Sequence, residues 1–336
     1  MKRIISQPAE IRKQLYTQIG NQLGLHPISV EKDLWVTSVL QVLFSLPYAE
    51  CLVFKGGSSL SKVWNLINRF SEDIDIAVDR RLFGVEGYIT KKQMKKLRKE
   101  SSLFVKEKLA IDLKTKLDEF EIGEFCKVDP QPDGEGDCTY PEPRKIFIHY
   151  ETAFNDNVQQ YVESSVMLEI GARSLMEPTS REIVRSLIES NSPMSTTLTD
   201  CDILTAMPQK TFLEKIFLLH ELFSTDGCAS ANRKSRHLYD LESMMDEPFA
   251  LSAIHDEDLW ENIRHHRSVF TPIRGIDYAA PIKENLKLIP PIQYRNIWED
   301  DYNAMQEQMV YGQSLSFEEL LSRMSELQNR FKTDRP

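Results

Sequence analysis

RFSEDIDIA, residues 69–77, sets Asp73 and Asp75 two positions apart in a run that alternates polar and apolar. In an extended strand, side chains repeat every two residues. Ile74, Ile76 and Val78 then face a core, and Asp73 and Asp75 share the other face. Adjacent carboxylates repel each other unless a cation lies between them. Hard divalent ions such as magnesium select oxygen ligands and keep positions open for phosphate. The spacing therefore points to a metal site for a phosphorylated ligand, against the plainer possibility of an exposed strand with two solvated aspartates.

Upstream, the apolar run CLVF (51–54) reads as a buried strand, followed by Lys55, Gly56, Gly57 and Ser58. Leu60, Val63, Trp64 and Ile67 then recur at helical spacing. The expected order is strand, glycine turn, helix, acidic strand. Glycine lets the backbone approach a ligand closely, and amides at a helix start attract anions.

The run FKGGSSLSKVWNLINRFSEDIDIAVD (54–79) resembles the nucleotidyltransferase signature of the AbiEii/AbiGii-type toxins. These are the toxin halves of type IV toxin–antitoxin and abortive-infection systems, within the DNA polymerase β-like nucleotidyltransferase superfamily. The Gly57-to-Asp73 spacing is longer than in many superfamily members, and a longer helix would absorb it. VEKDLWV (30–36) is similar to the family's entry helix, TFLEKIFLLHEL (211–222) to its lysine motif, and SRHLYDL (235–241) to its last motif. The similarity covers roughly residues 25–245 in the expected order.

The resemblance implies an α/β (α+β) fold: a polymerase β-like core with a small mixed sheet and a mainly helical C-terminal domain. It implies transfer of NMP from an NTP to an acceptor, RNA or tRNA, with Mg²⁺. The metal falls to Asp73, Asp75 and a third carboxylate on a neighbouring strand. Glu169, in SSVMLEIGAR, alternates away from Val166, Leu168 and Ile170 and is preferred to Glu151, which ends its strand. Glu169 would complete the metal site or activate the acceptor. Gly56, Gly57 and Ser58 would cradle phosphates. A small-molecule acceptor such as an antibiotic, or a non-catalytic nucleotide- or partner-binding module, are the alternatives.

On a helical projection of 212–223, Phe212, Ile216, Leu219 and Phe223 form one stripe, with Glu214 and Glu221 on the solvent side. Lys215 lies within the apolar arc, where an ammonium is costly without a partner. It either snorkels or, as the resemblance implies, binds nucleotide phosphates. Asp240 either pairs with Arg236 one turn away or, by resemblance, positions the acceptor or Lys215. His220 and His237 read as packed side chains. Arg173 binds phosphate or pairs with an acid.

A chain of 336 residues with 41% hydrophobic content suits about two domains. Residues 1–178 are expected to hold the nucleotidyltransferase domain and 179–336 a mainly helical domain. No apolar run reaches the ~20 residues that span a bilayer, and MKRIISQPAEIRKQL lacks a signal-peptide core. Five cysteines without CxxC spacing suit reduced thiols in the cytoplasm. The net charge of −10 opposes non-specific nucleic-acid binding and suits a basic partner such as a cognate antitoxin. Yet residues 91–116 carry ten Lys or Arg against three acids, which reads equally as an RNA-binding surface or a solvated helix. Strands are expected near 51–55, 73–78, 144–151 and 161–171, a loop over 128–143, and helices over 8–24, 29–46, 91–118, 179–190, 209–224, 232–246, 257–268 and 315–332.

Overall fold

In the computed structural model, Asp73–Val78 forms the alternating strand, with Ile74, Ile76 and Val78 buried and both aspartates half-buried. Each buried branched side chain is worth about 1.5–3 kcal/mol. Like charges facing each other on a sheet cost less, under about 1 kcal/mol per pair. Burial therefore outweighs the repulsion and fixes which face carries the acids. The structure describes residues 2–70, 73–87, 89–154, 164–191, 201–280 and 282–333. The start of the strand expected over 161–171 and most of the polar run 189–200 lie outside them.

The strands are β1 (Leu52–Lys55), β2 (Asp73–Val78), β3 (Cys126–Pro130), β4 (Arg144–Tyr150), β5 (Ser165–Gly171), β6 (Thr179–Val184) and β7 (Cys201–Ala206). They form one mixed sheet in the order β3-β4-β5-β2-β1-β7-β6. The β2–β5 and β1–β7 pairs are parallel. The helices before and within this sheet are α1 (Lys2–Ile5), α2 (Ala9–Leu23), α3 (Pro27–Leu43), α4 (Gly56–Lys62), α5 (Lys91–Leu103), α6 (Ala110–Glu119) and α7 (Leu187–Asn191). A π-helical segment, Phe104–Leu109, joins α5 to α6.

Helix α3 is buried along almost its whole length and packs on β5 and β7. An all-round buried helix must satisfy its polar side chains internally. Glu31 accepts from the Thr152 hydroxyl at 2.6 Å and the Ala153 amide at 2.7 Å. Trp35 stacks on Tyr150 of β4 at 5.0 Å between ring centres.

The sheet is larger than expected. Residues 179–184 form a strand where a helix is expected: Thr179, Ile183 and Val184 are β-branched, and the segment pairs antiparallel with β7. Cys126–Pro130 pairs with β4 at the sheet edge, where a terminal proline is tolerated, so part of the loop expected over 128–143 is strand. The antiparallel β6–β7 pair belongs to the first of two units. The chain divides into one unit of Met1–Val63 and Phe70–Ala206 and another of Trp64–Arg69 and Met207–Pro336, beyond the boundary expected at 178.

The second unit contains α8 (Pro208–Phe223), α9 (Arg236–Met244), α10 (Pro248–Ile254), α11 (Glu257–Phe270), α12 (Arg295–Met309) and α13 (Phe317–Thr333). Helix α8 packs against α9, α10 and α11. Phe212, Ile216, Leu219 and Phe223 are buried as the projection requires. Glu221 is buried too, contrary to its expected solvent position. It accepts from Arg267 Nε at 2.8 Å and the Tyr278 hydroxyl at 2.5 Å.

Candidate active site

In the first unit, parallel pairing sets Asp75 of β2 directly beside Glu169 of β5, and Asp73 beside Met167. The antiparallel pairings set Lys55 beside Asp75 and Lys145 beside Glu169. Residues in register share a face. One row across four strands therefore reads Lys145, Glu169, Asp75, Lys55. The two central acids repel and the outer lysines partly offset them. Burial, then the charge of Asp75, push the Glu169 carboxyl above its ordinary range. The rival Glu151 is exposed, just past the end of β4. Arg173 donates from Nη2 to the Glu142 carbonyl at 2.6 Å. Lys55 and Lys145 carried no signal in the sequence, because only the strand register brings them level with the acids.

The glycine turn is packed against these acids. Gly56 has φ of 78°, in the left-handed region. A Cβ there would lie 2.1 Å from Oδ2 of Asp75. Glycine is thus required twice, by conformation and by contact. The buried Ser58 donates its hydroxyl to the main-chain carbonyl of Asp73, tying turn to strand. Helix α4 ends at Lys62, whose ammonium pairs with Asp33 of α3. Asp33 also accepts from the Leu187 amide at 2.7 Å. The long helix expected through Ile67 is not formed: Asn65 takes φ of 51° and the extra residues are irregular.

Replacing Gly56 by alanine is expected to destabilise the protein by about 1–3 kcal/mol, the usual range for such backbone strain. Much of that cost should disappear in an Asp75→Ala background, where the steric conflict is removed. Melting temperatures of the two single variants and the double variant measure the coupling; simple additivity would show that Gly56 and Asp75 do not touch.

In the second unit, Asp240 is fully buried on α9. Arg69 grips it with Nε to Oδ1 at 2.6 Å and Nη2 to Oδ2 at 2.8 Å. Lys215 Nζ approaches Oδ2 at 2.8 Å. The sequence signals left Asp240 open between Arg236 and a site role; its described ion pairs are with Arg69 and Lys215. Arg69 is itself 1% exposed. Its backbone bridges Val310. Despite burial, the two cations hold the Asp240 carboxyl below its ordinary range. Burial pushes the Lys215 ammonium down, and Asp240 opposes that. His237 lies with Nδ1 at 3.3 Å from Lys215 Nζ, so it is a polar neighbour and not merely packed. Burial, then Lys215, depress its pKa well below the usual imidazole value. His220 is buried, as expected. Arg69 was missed although it opens the acidic stretch, because its partner lies far along the chain.

A family model described as nucleotidyl transferase AbiEii toxin, type IV toxin–antitoxin system, matches residues 39–323. The chain belongs to the AbiEii family. It is a nucleotidyltransferase, and its family is the toxin of a type IV toxin–antitoxin pair. No curated protein matches it significantly in sequence. Among solved structures it is similar to MenT4, a nucleotidyltransferase toxin from Mycobacterium tuberculosis H37Rv, at 14% identity and a TM-score of 0.44. That match covers 96% of this chain and 99% of the other. The likeness is distant.

Nucleotidyltransferases generally use a divalent metal. Among the described residues, no three His, Cys, Asp or Glu side chains form a ready-made metal cage. Magnesium commonly takes one or two carboxylates and completes its shell with water and substrate phosphates. Asp73 and Asp75, sharing one face of β2, match that donor set. No helix among the described residues is long and apolar enough to cross a membrane.

Proposed function

We propose that this AbiEii-family enzyme transfers NMP from an NTP to a hydroxyl of RNA, tRNA being the foremost class. The observation that carries the site assignment is the register of Asp75 with Glu169 beside a turn that only glycine can form. Asp73 and Asp75 would hold Mg²⁺, which would supply positive charge against the triphosphate. Gly56, Gly57 and Ser58 shape the turn for phosphates. The acceptor oxygen bonds to the α-phosphorus, and the bond from that phosphorus to the bridging oxygen of the β-phosphate breaks. Pyrophosphate leaves with the electron pair. Glu169, in register with Asp75, takes the acceptor's proton as general base. By family resemblance Lys215 is a phosphate-binding lysine, and within its own unit Asp240 pairs with its ammonium at 2.8 Å.

Incubation with Mg²⁺, each labelled NTP in turn and total RNA tests the acceptor. Label is expected in RNA with at least one NTP. Label confined to small molecules would overturn the RNA reading while leaving the chemistry. The same activity in chelator would overturn the metal assignment.

A further inference from the structure

The basic segment 91–116 resolves into two parts with different electrostatics. In its second part, Lys106 pairs with Asp133 at 2.7 Å, Lys108 with Asp112 at 3.0 Å and Lys116 with Glu119 at 2.7 Å. In its first part, helix α5, the charge is not neutralised. Lys91, Lys92, Lys95, Lys96 and Lys99 are all exposed. At 100° per residue they fall within an arc of about 140°. Lys96 has one long contact with Glu100 at 3.6 Å, and Lys99 lies over the Tyr140 ring at 5.4 Å. No ion pair to Lys91, Lys92 or Lys95 occurs among the described residues.

The helix holds this face rigidly. Thr90 and Gln93 form a reciprocal cap at its start, and Leu97 and Ser101 are buried on its other side. Arg98 Nε donates to the Tyr140 carbonyl at 2.8 Å, and the Ser101 hydroxyl donates to Glu142 at 2.8 Å. Glu142 in turn accepts from the Ala172 amide at 2.6 Å, three residues beyond Glu169 on the same chain. That is about 10 Å of strand. The basic face is therefore anchored near the row of acids within one unit.

We propose that the lysine face of α5 is where RNA docks by its phosphate backbone. The inference rests on RNA being the acceptor. A protein partner is the poorer fit: protein interfaces are centred on apolar or aromatic anchors. Among the described residues, none of the exposed large hydrophobics lies on α5. A uniform row of cations is what phosphate contacts need, and such contacts carry most of the sequence-independent affinity. It also explains how a chain of net charge −10 meets a polyanion.

The test compares two triple variants of the full chain with equal charge loss. One carries Lys91→Gln, Lys92→Gln and Lys95→Gln; the other carries Lys106→Gln, Lys108→Gln and Lys116→Gln. Gln keeps the helix propensity of Lys. Binding to fluorescent total tRNA is measured against salt concentration without Mg²⁺ or NTP. Each lost phosphate contact removes about 0.7 from the slope of log affinity against log salt. The α5 variant should lose about 2 from the slope and about a hundredfold in affinity near 0.1 M salt. The control should keep the wild-type slope, and both should melt like wild type. Equal loss in both variants, or none in the α5 variant, overturns the docking face even if RNA is still labelled. Wild-type protein that neither binds nor labels RNA sinks the acceptor assignment, and the docking face with it.

Discussion

Replacement of Asp75 by asparagine is expected to lower nucleotidyl transfer by on the order of a thousandfold or more while slightly raising the melting temperature of the metal-free protein. The two effects have opposite signs because one carboxylate does two things. In the proposed mechanism Asp75 would supply one of the oxygens that hold the metal, and its replacement removes that oxygen. Metal stabilisation of developing charge is worth several kcal/mol, and each ~1.4 kcal/mol is tenfold in rate. Without metal, Asp75 lies in register with Glu169 and beside Gly56. Its charge helps push the Glu169 carboxyl up, second only to burial. Removing it relieves a repulsion of under about 1 kcal/mol, and the near-isosteric amide keeps the packing. Transfer assays and melting curves in chelator, on the same preparation, separate the effects. Added Mg²⁺ and NTP should raise the wild-type melting temperature and leave the variant's unchanged. A drop of several degrees in the metal-free variant would show that Asp75 is held by stabilising partners and not by a neighbouring acid.

Much of the first unit was legible because strand periodicity is local. Alternation in DIDIAV fixes both the strand and the outward acids, and VMLEIG does the same for Glu169. Gly56 also announces itself, since a glycine pair between a strand and a helix has few other uses. The register that aligns Lys55, Asp75, Glu169 and Lys145 was not legible, because it depends on which strands pair. Neither was β6: Thr179, Ile183 and Val184 suit a strand, but a run of six residues is settled only by its pairing with β7. The residues before Asp73 depart from their local pattern for a related reason. Val63, Trp64 and Ile67 keep a helical spacing, but Asn65 adopts a left-handed conformation and the segment is grouped with the second unit. Its purpose is visible only at Arg69, whose partner Asp240 is distant in sequence.

That pairing carries the other large effect. Asp240→Ala is expected to destabilise the second unit by about 3–5 kcal/mol, the usual loss when one partner leaves a buried ionic cluster. Arg69 would remain 1% exposed with its bidentate acceptor gone, and Lys215 would lose a contact of 2.8 Å. The melting temperature should fall by on the order of 10 °C. Replacing Arg69 with methionine should cost less, since Lys215 still neutralises the acid and the apolar chain fills the same space. The pH dependence follows from the same cluster. The folded-state pKa of Asp240 lies below its ordinary value of 3.8. Its stabilising contribution is therefore complete above that value and is lost as pH falls toward the folded pKa. Wild-type stability should decline through this acidic window, whereas Asp240→Ala should lose that component of the decline. Parallel acid unfolding curves for the two proteins would show that Asp240 is protonated as easily folded as unfolded, and that Arg69 and Lys215 do not hold its charge.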